Sequence, residues 1–227
     1  MSAEGALSRR LRGLYAITPE CADTERLCAL AESALQGGAA ILQFRFKAIG
    51  ASLALEQARR LRQICSAHRT LFIVNDSLDL ALAVSADGVH LGRDDGDVRA
   101  ARSAMPRGVL GVSCYDDPRR ARAAAQGGAD YVGIGSVFAS ATKPGAVRAT
   151  LELLGEARAA SGLPVAAIGG VTLANAPLAI AAGADMVAVI SDLFDAKDVR
   201  AQAGAFAQLF NPGNGSPRDV RAQQATL

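Results

Sequence analysis

Tryptophan is absent from these 227 residues, and aromatic residues make up only 4%. A core drawn from Ala, Val, Leu and Ile suits alternating strands and helices better than an aromatic-rich binding module. An excess of either charge is also missing: 24 basic residues against 22 acidic ones leave a formal charge of +2. Such balance gives no reason to expect a nucleic-acid partner, so any anion binding has to come from a local cluster. Only four cysteines occur, Cys21, Cys28, Cys65 and Cys114. They are scattered, with no CxxC pair, which suggests neither a zinc site nor a disulfide framework. Isolated thiols in a reducing cytosol are the plain reading. No apolar run approaches the ~18 residues of a membrane span. The opening segment lacks the apolar stretch of a signal peptide, and a cytoplasmic protein with no membrane partner is expected.

What is present is regular alternation. Short apolar runs fall at Gly13–Thr18, Ala40–Arg45, Leu71–Asn75, Gly88–Leu91, Val109–Ser113, Tyr131–Ser136, Pro164–Ile168 and Met186–Ile190. Longer Ala- and Arg-rich helical patterns separate them, among them Ser52–Ala67, Asp117–Gln126 and Leu173–Ala182. About eight βα units result, the number that closes a parallel barrel. The expected fold class is α/β, a single (β/α)8 TIM barrel over residues 13–210. Residues 1–12 form an N-terminal extension, and residues 211–227, rich in Asn, Pro, Gly, Ser and Gln, read as a flexible tail. A weak repeat supports the count: Ala86-Asp87-Gly88, Ala129-Asp130-Tyr131 and Ala184-Asp185-Met186 each lead into a strand. Gly37-Gly38-Ala39-Ala40 is a looser copy. These aspartates read as structural punctuation at the bottom of the barrel.

Active sites of parallel barrels lie at the C-terminal strand ends. Gln43, Arg45 and Lys47 alternate with Leu42, Phe44 and Phe46, so strand geometry projects all three to one side. Arg and Lys there suit phosphate oxygens. The third run ends in Asn75-Asp76, where Asp76 can cap the next helix. The fourth is followed by Gly92-Arg93-Asp94-Asp95-Gly96-Asp97, whose acidic residues are commonly solvated or caps. Two carboxylates on neighbouring strand ends can also share a hard divalent cation. The long loop after the sixth run carries Ser140, Thr142 and Lys143. The seventh ends in Gly169-Gly170 and the eighth in Ile190-Ser191, the region where barrels often seat phosphate. A tight turn alone also accounts for the glycine pair. Two anion seats emerge, which suggests two phosphorylated substrates or one long one. His68 falls at a helix end and His90 in a strand, and both read as structural. No Ser-His-Asp or Cys-His arrangement stands out.

These segments, with Leu14-Tyr15-Ala16-Ile17-Thr18, Ala86-Asp87-Gly88-Val89-His90-Leu91-Gly92 and Gly111-Val112-Ser113, resemble the thiamine-phosphate synthase family from about Gly13 to Phe210. The resemblance implies a transferase that joins a pyrimidine diphosphate to a thiazole phosphate, using Mg2+. It implies that Arg45, Lys47 and Lys143 act on the leaving group, and that Gln43 and Asn75 join them in binding the diphosphate substrate. Asp76 and Asp95 would hold the metal, and Ser113 would bond the pyrimidine or its diphosphate. Ser140, Thr142, Gly170, Ile190 and Ser191 would seat the thiazole phosphate. Phe46, Arg93, Tyr115, Ser136, Ala139 and Ser140 depart from the commonest family residues. The partners implied are small molecules, and a homo-oligomer stays open. Rival readings are a thiazole tautomerase, another phosphate-binding barrel isomerase or epimerase, and a non-catalytic binder of thiamine precursors.

Overall fold

The computed structural model describes residues 10–139 and 147–211. The N-terminal extension up to residue 9, the tail from residue 212, and Ser140, Thr142 and Lys143 lie outside the described residues. Eight parallel strands close into one barrel in sequence order. They are β1 (Gly13–Ile17), β2 (Ile41–Phe44), β3 (Leu71–Asn75), β4 (Gly88–Leu91), β5 (Val109–Tyr115), β6 (Tyr131–Ile134), β7 (Val165–Ile168) and β8 (Met186–Val189). The helices between and after them are α1 (Thr24–Gln36), α2 (Ala51–His68), α3 (Leu78–Ala83), α4 (Val98–Ala104), α5 (Pro118–Gly127), α6 (Glu152–Ser161), α7 (Ala176–Ala181), α8 (Ser191–Phe194) and α9 (Val199–Gln208).

The strands read as continuous apolar runs because both faces are covered. Leu14, Ala16, Leu42, Phe44, Phe72 and Val74 pack outward under the helices. Tyr15, Ile41, Leu71, Ile73, Tyr131 and Met186 fill the interior. The helix α7 begins at Ala176 rather than Leu173. The side chains of Thr172 and Asn175 bond each other's backbone N–H, at 3.3 and 2.8 Å, and hold a turn before it.

The three Ala-Asp repeats are bottom clamps. Asp87, Asp130 and Asp185 each accept the N–H of a residue near the start of the preceding strand: Phe72 at 2.9 Å, Leu110 at 2.7 Å and Val165 at 3.0 Å. Each also pairs with an arginine, from α2, α4 and α6 respectively: Arg62, Arg102 and Arg158. One carboxylate thus ties two strands and a helix. The looser copy at Gly37-Gly38-Ala39-Ala40 has no carboxylate to do this. The clamps close one end of the barrel and leave the other end to the loops after the strands.

Candidate active site

At the open end the chain frees two carboxylates from capping. Ser77, not Asp76, caps α3 by accepting the Leu80 N–H. Asp76 itself turns through φ +63°, a left-handed conformation that Asp tolerates better than most residues. In the next loop Asp97 caps α4 by accepting the Ala100 N–H. Asp95 folds back to accept the Gly92 N–H at 2.7 Å. Lys47 reaches over from beyond β2 and pairs with Asp76. With Phe46 and Asn75, these three line a cleft of about 480 Å3.

The carboxylates interact. Burial works against ionisation of Asp76, but hydrogen bonds from Lys47 and Asp95 outweigh it and hold Asp76 below the usual range. Burial and then the hydrogen bond with Asp76 push Asp95 upward. The two carboxyls therefore stand close enough to share a proton, with Lys47 paired to the more acidic one. Two adjacent carboxylates of this kind fit Mg2+, which takes one or two protein carboxylates and completes its shell with phosphate oxygens and water. No group of three or more His, Cys, Asp or Glu side chains suited to a metal occurs among the described residues. An all-protein metal cage is therefore not what the fit supports.

Strand alternation does not extend as far as the sequence suggests. β2 ends at Phe44, so only Gln43 keeps the inward register. Gln43 is buried, and its Nε2 donates to the Tyr15 hydroxyl at 2.7 Å. Arg45 pairs with Glu20 at 3.1 Å, a residue of the loop after β1 that carried no signal by itself. Arg45 is thus held at the mouth on the β1 side, and Lys47 stands over β3.

Below the mouth lies a chain of polar tips that sequence reading missed. The Tyr15 and Tyr131 hydroxyls are 2.6 Å apart. Tyr131 meets His90 Nδ1 at 2.9 Å, and His90 Nε2 meets Ser113 Oγ at 2.9 Å. Gly111 makes room for the rings. A Cβ on Gly111 would stand 2.1 Å from the Tyr131 ring and 2.5 Å from His90. A Ser–His pair is present, but without the carboxylate of a Ser-His-Asp arrangement. It is a poor hydrolase dyad, because a phenol rather than a carboxylate stands at Nδ1. Burial also pushes the His90 pKa down to about 4, with Asp76 partly opposing, which makes the ring a weak base.

At the far side of the mouth, Gly169 and Gly170 have φ +94° and +63°. A Cβ on Gly170 would lie 2.1 Å from the Ala139 carbonyl oxygen, so the loop after β6 crosses directly over this backbone. The Gly170 carbonyl accepts from Asn175 Nδ2 at 3.0 Å. Close chain crossing is thus reason enough for the glycines. Ile190 packs on the interior cluster, and Ser191 opens α8 beside it. Two departures from the family pattern prove to be one contact. The Arg93 guanidinium lies over the Tyr115 ring, 4.9 Å from its centroid, and the Arg93 N–H bonds the Tyr115 hydroxyl at 3.2 Å.

A closed parallel barrel with charged groups gathered at the C-terminal strand ends is the arrangement of a (β/α)8-barrel enzyme. A family model described as thiamine monophosphate synthase matches residues 14–193. The chain belongs to the thiamine-phosphate synthase family, whose members are transferases. The thiamine-phosphate synthase of Aromatoleum aromaticum is 56% identical over 203 residues, covering 89% of this chain and 98% of its own length. That of Azoarcus sp. is 54% identical over 205 residues, covering 90% and 100%. Among solved structures, thiamine phosphate pyrophosphorylase from Pyrococcus furiosus superposes with a TM-score of 0.79 at 35% identity, over 88% of this chain and 96% of that one. A 3-hexulose-6-phosphate synthase at 21% identity and TM-score 0.65, over 86% of this chain and 98% of that one, shares the fold alone. Among the described residues no helix is long and apolar enough to cross a membrane.

Proposed function

We propose that this chain condenses 4-amino-5-hydroxymethyl-2-methylpyrimidine diphosphate with hydroxyethylthiazole phosphate, giving thiamine phosphate and pyrophosphate, in the cytoplasm. The observation that carries the reading is the meeting of Lys47 with the Asp76–Asp95 pair in one cleft, in a chain of this family. The bond from the pyrimidine methylene to the diphosphate oxygen breaks, and its electron pair leaves with pyrophosphate. The thiazole nitrogen then gives its lone pair to the methylene carbon. Asp76 and Asp95 would hold Mg2+, which when bound supplies positive charge against the diphosphate. Lys47, Arg45 and Lys143 stabilise charge on the departing oxygens. Gln43, Asn75 and Ser113 bind and orient the pyrimidine diphosphate. Ser140, Thr142, Gly170, Ile190 and Ser191 seat the thiazole phosphate. Holding both substrates in line contributes much of the rate, because orientation replaces a bimolecular encounter. No protein nucleophile is called for, in keeping with the weak basicity of His90.

The rival tautomerase reading needs an acid–base group at the mouth. Tyr115 is engaged by Arg93 instead. The test is an end-point assay with both substrates and Mg2+, an EDTA control, and detection of thiamine phosphate as thiochrome. Product that disappears with EDTA is expected. A folded protein that makes no product refutes the reaction, and product that survives EDTA refutes the metal.

A further inference from the structure

We propose that Tyr15, Tyr131 and His90 form a one-way hydrogen-bond relay that fixes the Ser113 hydroxyl as a donor aimed at the barrel mouth. His90 and Tyr131 are then positioning residues for a hydrogen-bond acceptor on the bound pyrimidine diphosphate, a clause that rests on the function proposed above.

The direction follows from counting protons. Gln43 Nε2 is a donor only, so the Tyr15 oxygen accepts from it at 2.7 Å. Tyr15 is buried, and its own proton needs an acceptor. Among the described residues the acceptor within reach is the Tyr131 oxygen, 2.6 Å away. Tyr131, also buried, then gives its proton to His90 Nδ1 at 2.9 Å. A ring that accepts at Nδ1 carries its hydrogen on Nε2, and that hydrogen goes to Ser113 Oγ at 2.9 Å. Ser113 has used an oxygen lone pair, and its O–H remains to be given away. Ser113 is half-buried, toward the C-terminal end of β5, where a substrate acceptor would receive it.

The opposite direction does not close. If Tyr131 donated to Tyr15, the Tyr15 oxygen would accept twice and its buried proton would have no partner among the described residues. An orphaned buried donor is more costly than the bond it forgoes. Gly111 agrees with a fixed array: a side chain there would crowd the rings that carry the relay. The relay spans five strands, from β2 through β1, β6 and β4 to β5. It reports the closure of the barrel to one hydroxyl at its mouth.

The test has a spectroscopic arm and a kinetic arm. The chain has two histidines, so protein labelled with 15N-histidine gives two rings, and a His68→Gln variant assigns them. Long-range 1H–15N correlations should show His90 protonated at Nε2 and bare at Nδ1. In Tyr131→Phe the Nδ1 resonance should move to that of a bare nitrogen without a donor. A wild-type ring protonated at Nδ1 overturns the relay. In the kinetic arm, Tyr131→Phe should lower kcat/KM for the pyrimidine diphosphate about fivefold to tenfold, the scale of one neutral hydrogen bond. Ser113→Ala should cost at least as much, and the double variant should equal Ser113→Ala alone. Additive losses overturn the proposal, because the tyrosine would then act independently of the serine. An Nε2-protonated ring in a protein that forms no thiamine phosphate would support the relay and refute the reaction.

Discussion

The bottom clamps predict a clean separation of stability from activity, and Asp130 is the place to test it. Its Oδ2 accepts the Leu110 N–H at 2.7 Å and pairs with Arg102 at 2.6 Å. Its own N–H donates to the Leu110 carbonyl at 2.8 Å, so the side chain completes a reciprocal pair that starts the β5–β6 ladder. Asp130→Ala leaves the amide of fully buried Leu110 without its acceptor. An orphaned buried amide costs about 1–3 kcal/mol. The ion pair adds up to about 1 kcal/mol, kept small because roughly a quarter of each side chain is exposed. A total near 2–3 kcal/mol should lower Tm by roughly 5–10 °C in a domain of this size. Asp130→Asn keeps an acceptor oxygen and loses only the charge, so it should cost about 1 kcal/mol or less. Thermal melts and urea titrations measure both, and steady-state kinetics on the same preparations should show KM and kcat unchanged. If Asp130→Ala melts with the wild type, or if it alters KM at constant stability, the clamp reasoning is wrong.

Three further predictions concern the mouth and the interior. Asp76→Asn keeps a residue that tolerates φ +63° while removing the charge, so Mg2+-dependent turnover should fall on the order of 100-fold with the melting temperature nearly unchanged; unchanged turnover removes Asp76 from the metal site. Gly170→Ala sets a Cβ 2.1 Å from the Ala139 carbonyl, and KM for the thiazole phosphate should rise while KM for the pyrimidine diphosphate holds. An equal rise in both would show a general distortion. His90, held near 4 against 6.5 when free, takes up its proton more readily in the unfolded chain. Stability it contributes above pH 6.5 is lost as pH falls toward 4, up to about 3 kcal/mol. The stability difference between wild type and His90→Gln should narrow across that window, and a difference independent of pH would refute a buried neutral ring.

The barrel was legible because its strands are covered on both faces, so each appears as an unbroken apolar run such as Leu71–Asn75. The clamps were legible too, since their three aspartates recur in one local context. Which carboxylates are free at the mouth was not decidable from the chain alone. Asp76 and Ser77 both offer an N-cap, and only the backbone turn at Asp76 shows which one takes it. The interior relay left only a faint trace in the sequence. Tyr15 and Tyr131 stand 116 positions apart, each an ordinary aromatic in its strand. Strand alternation does put Gln43, His90, Ser113 and both tyrosines on inward positions. Arg45 misled for a related reason: alternation fails once β2 stops at Phe44, and Glu20, across the β1 loop, decides where the guanidinium goes.

The same residue type thus does opposite work at the two ends of the barrel. At the bottom, Asp87, Asp130 and Asp185 each meet a backbone amide and an arginine, and every charge is compensated on the spot. At the mouth, Asp76 and Asp95 lean on each other, and Lys47 pairs with Asp76. A fold selected for stability alone has no reason to bring two carboxylates together and to hold one of them through a left-handed turn. Such a close carboxyl pair is a mark of a functional site. Under the function proposed above, a divalent cation held by Asp76 and Asp95 would supply the matching sign. The pairing of two carboxyls at the mouth, more than the presence of acidic residues, is what distinguishes that end from the clamped one.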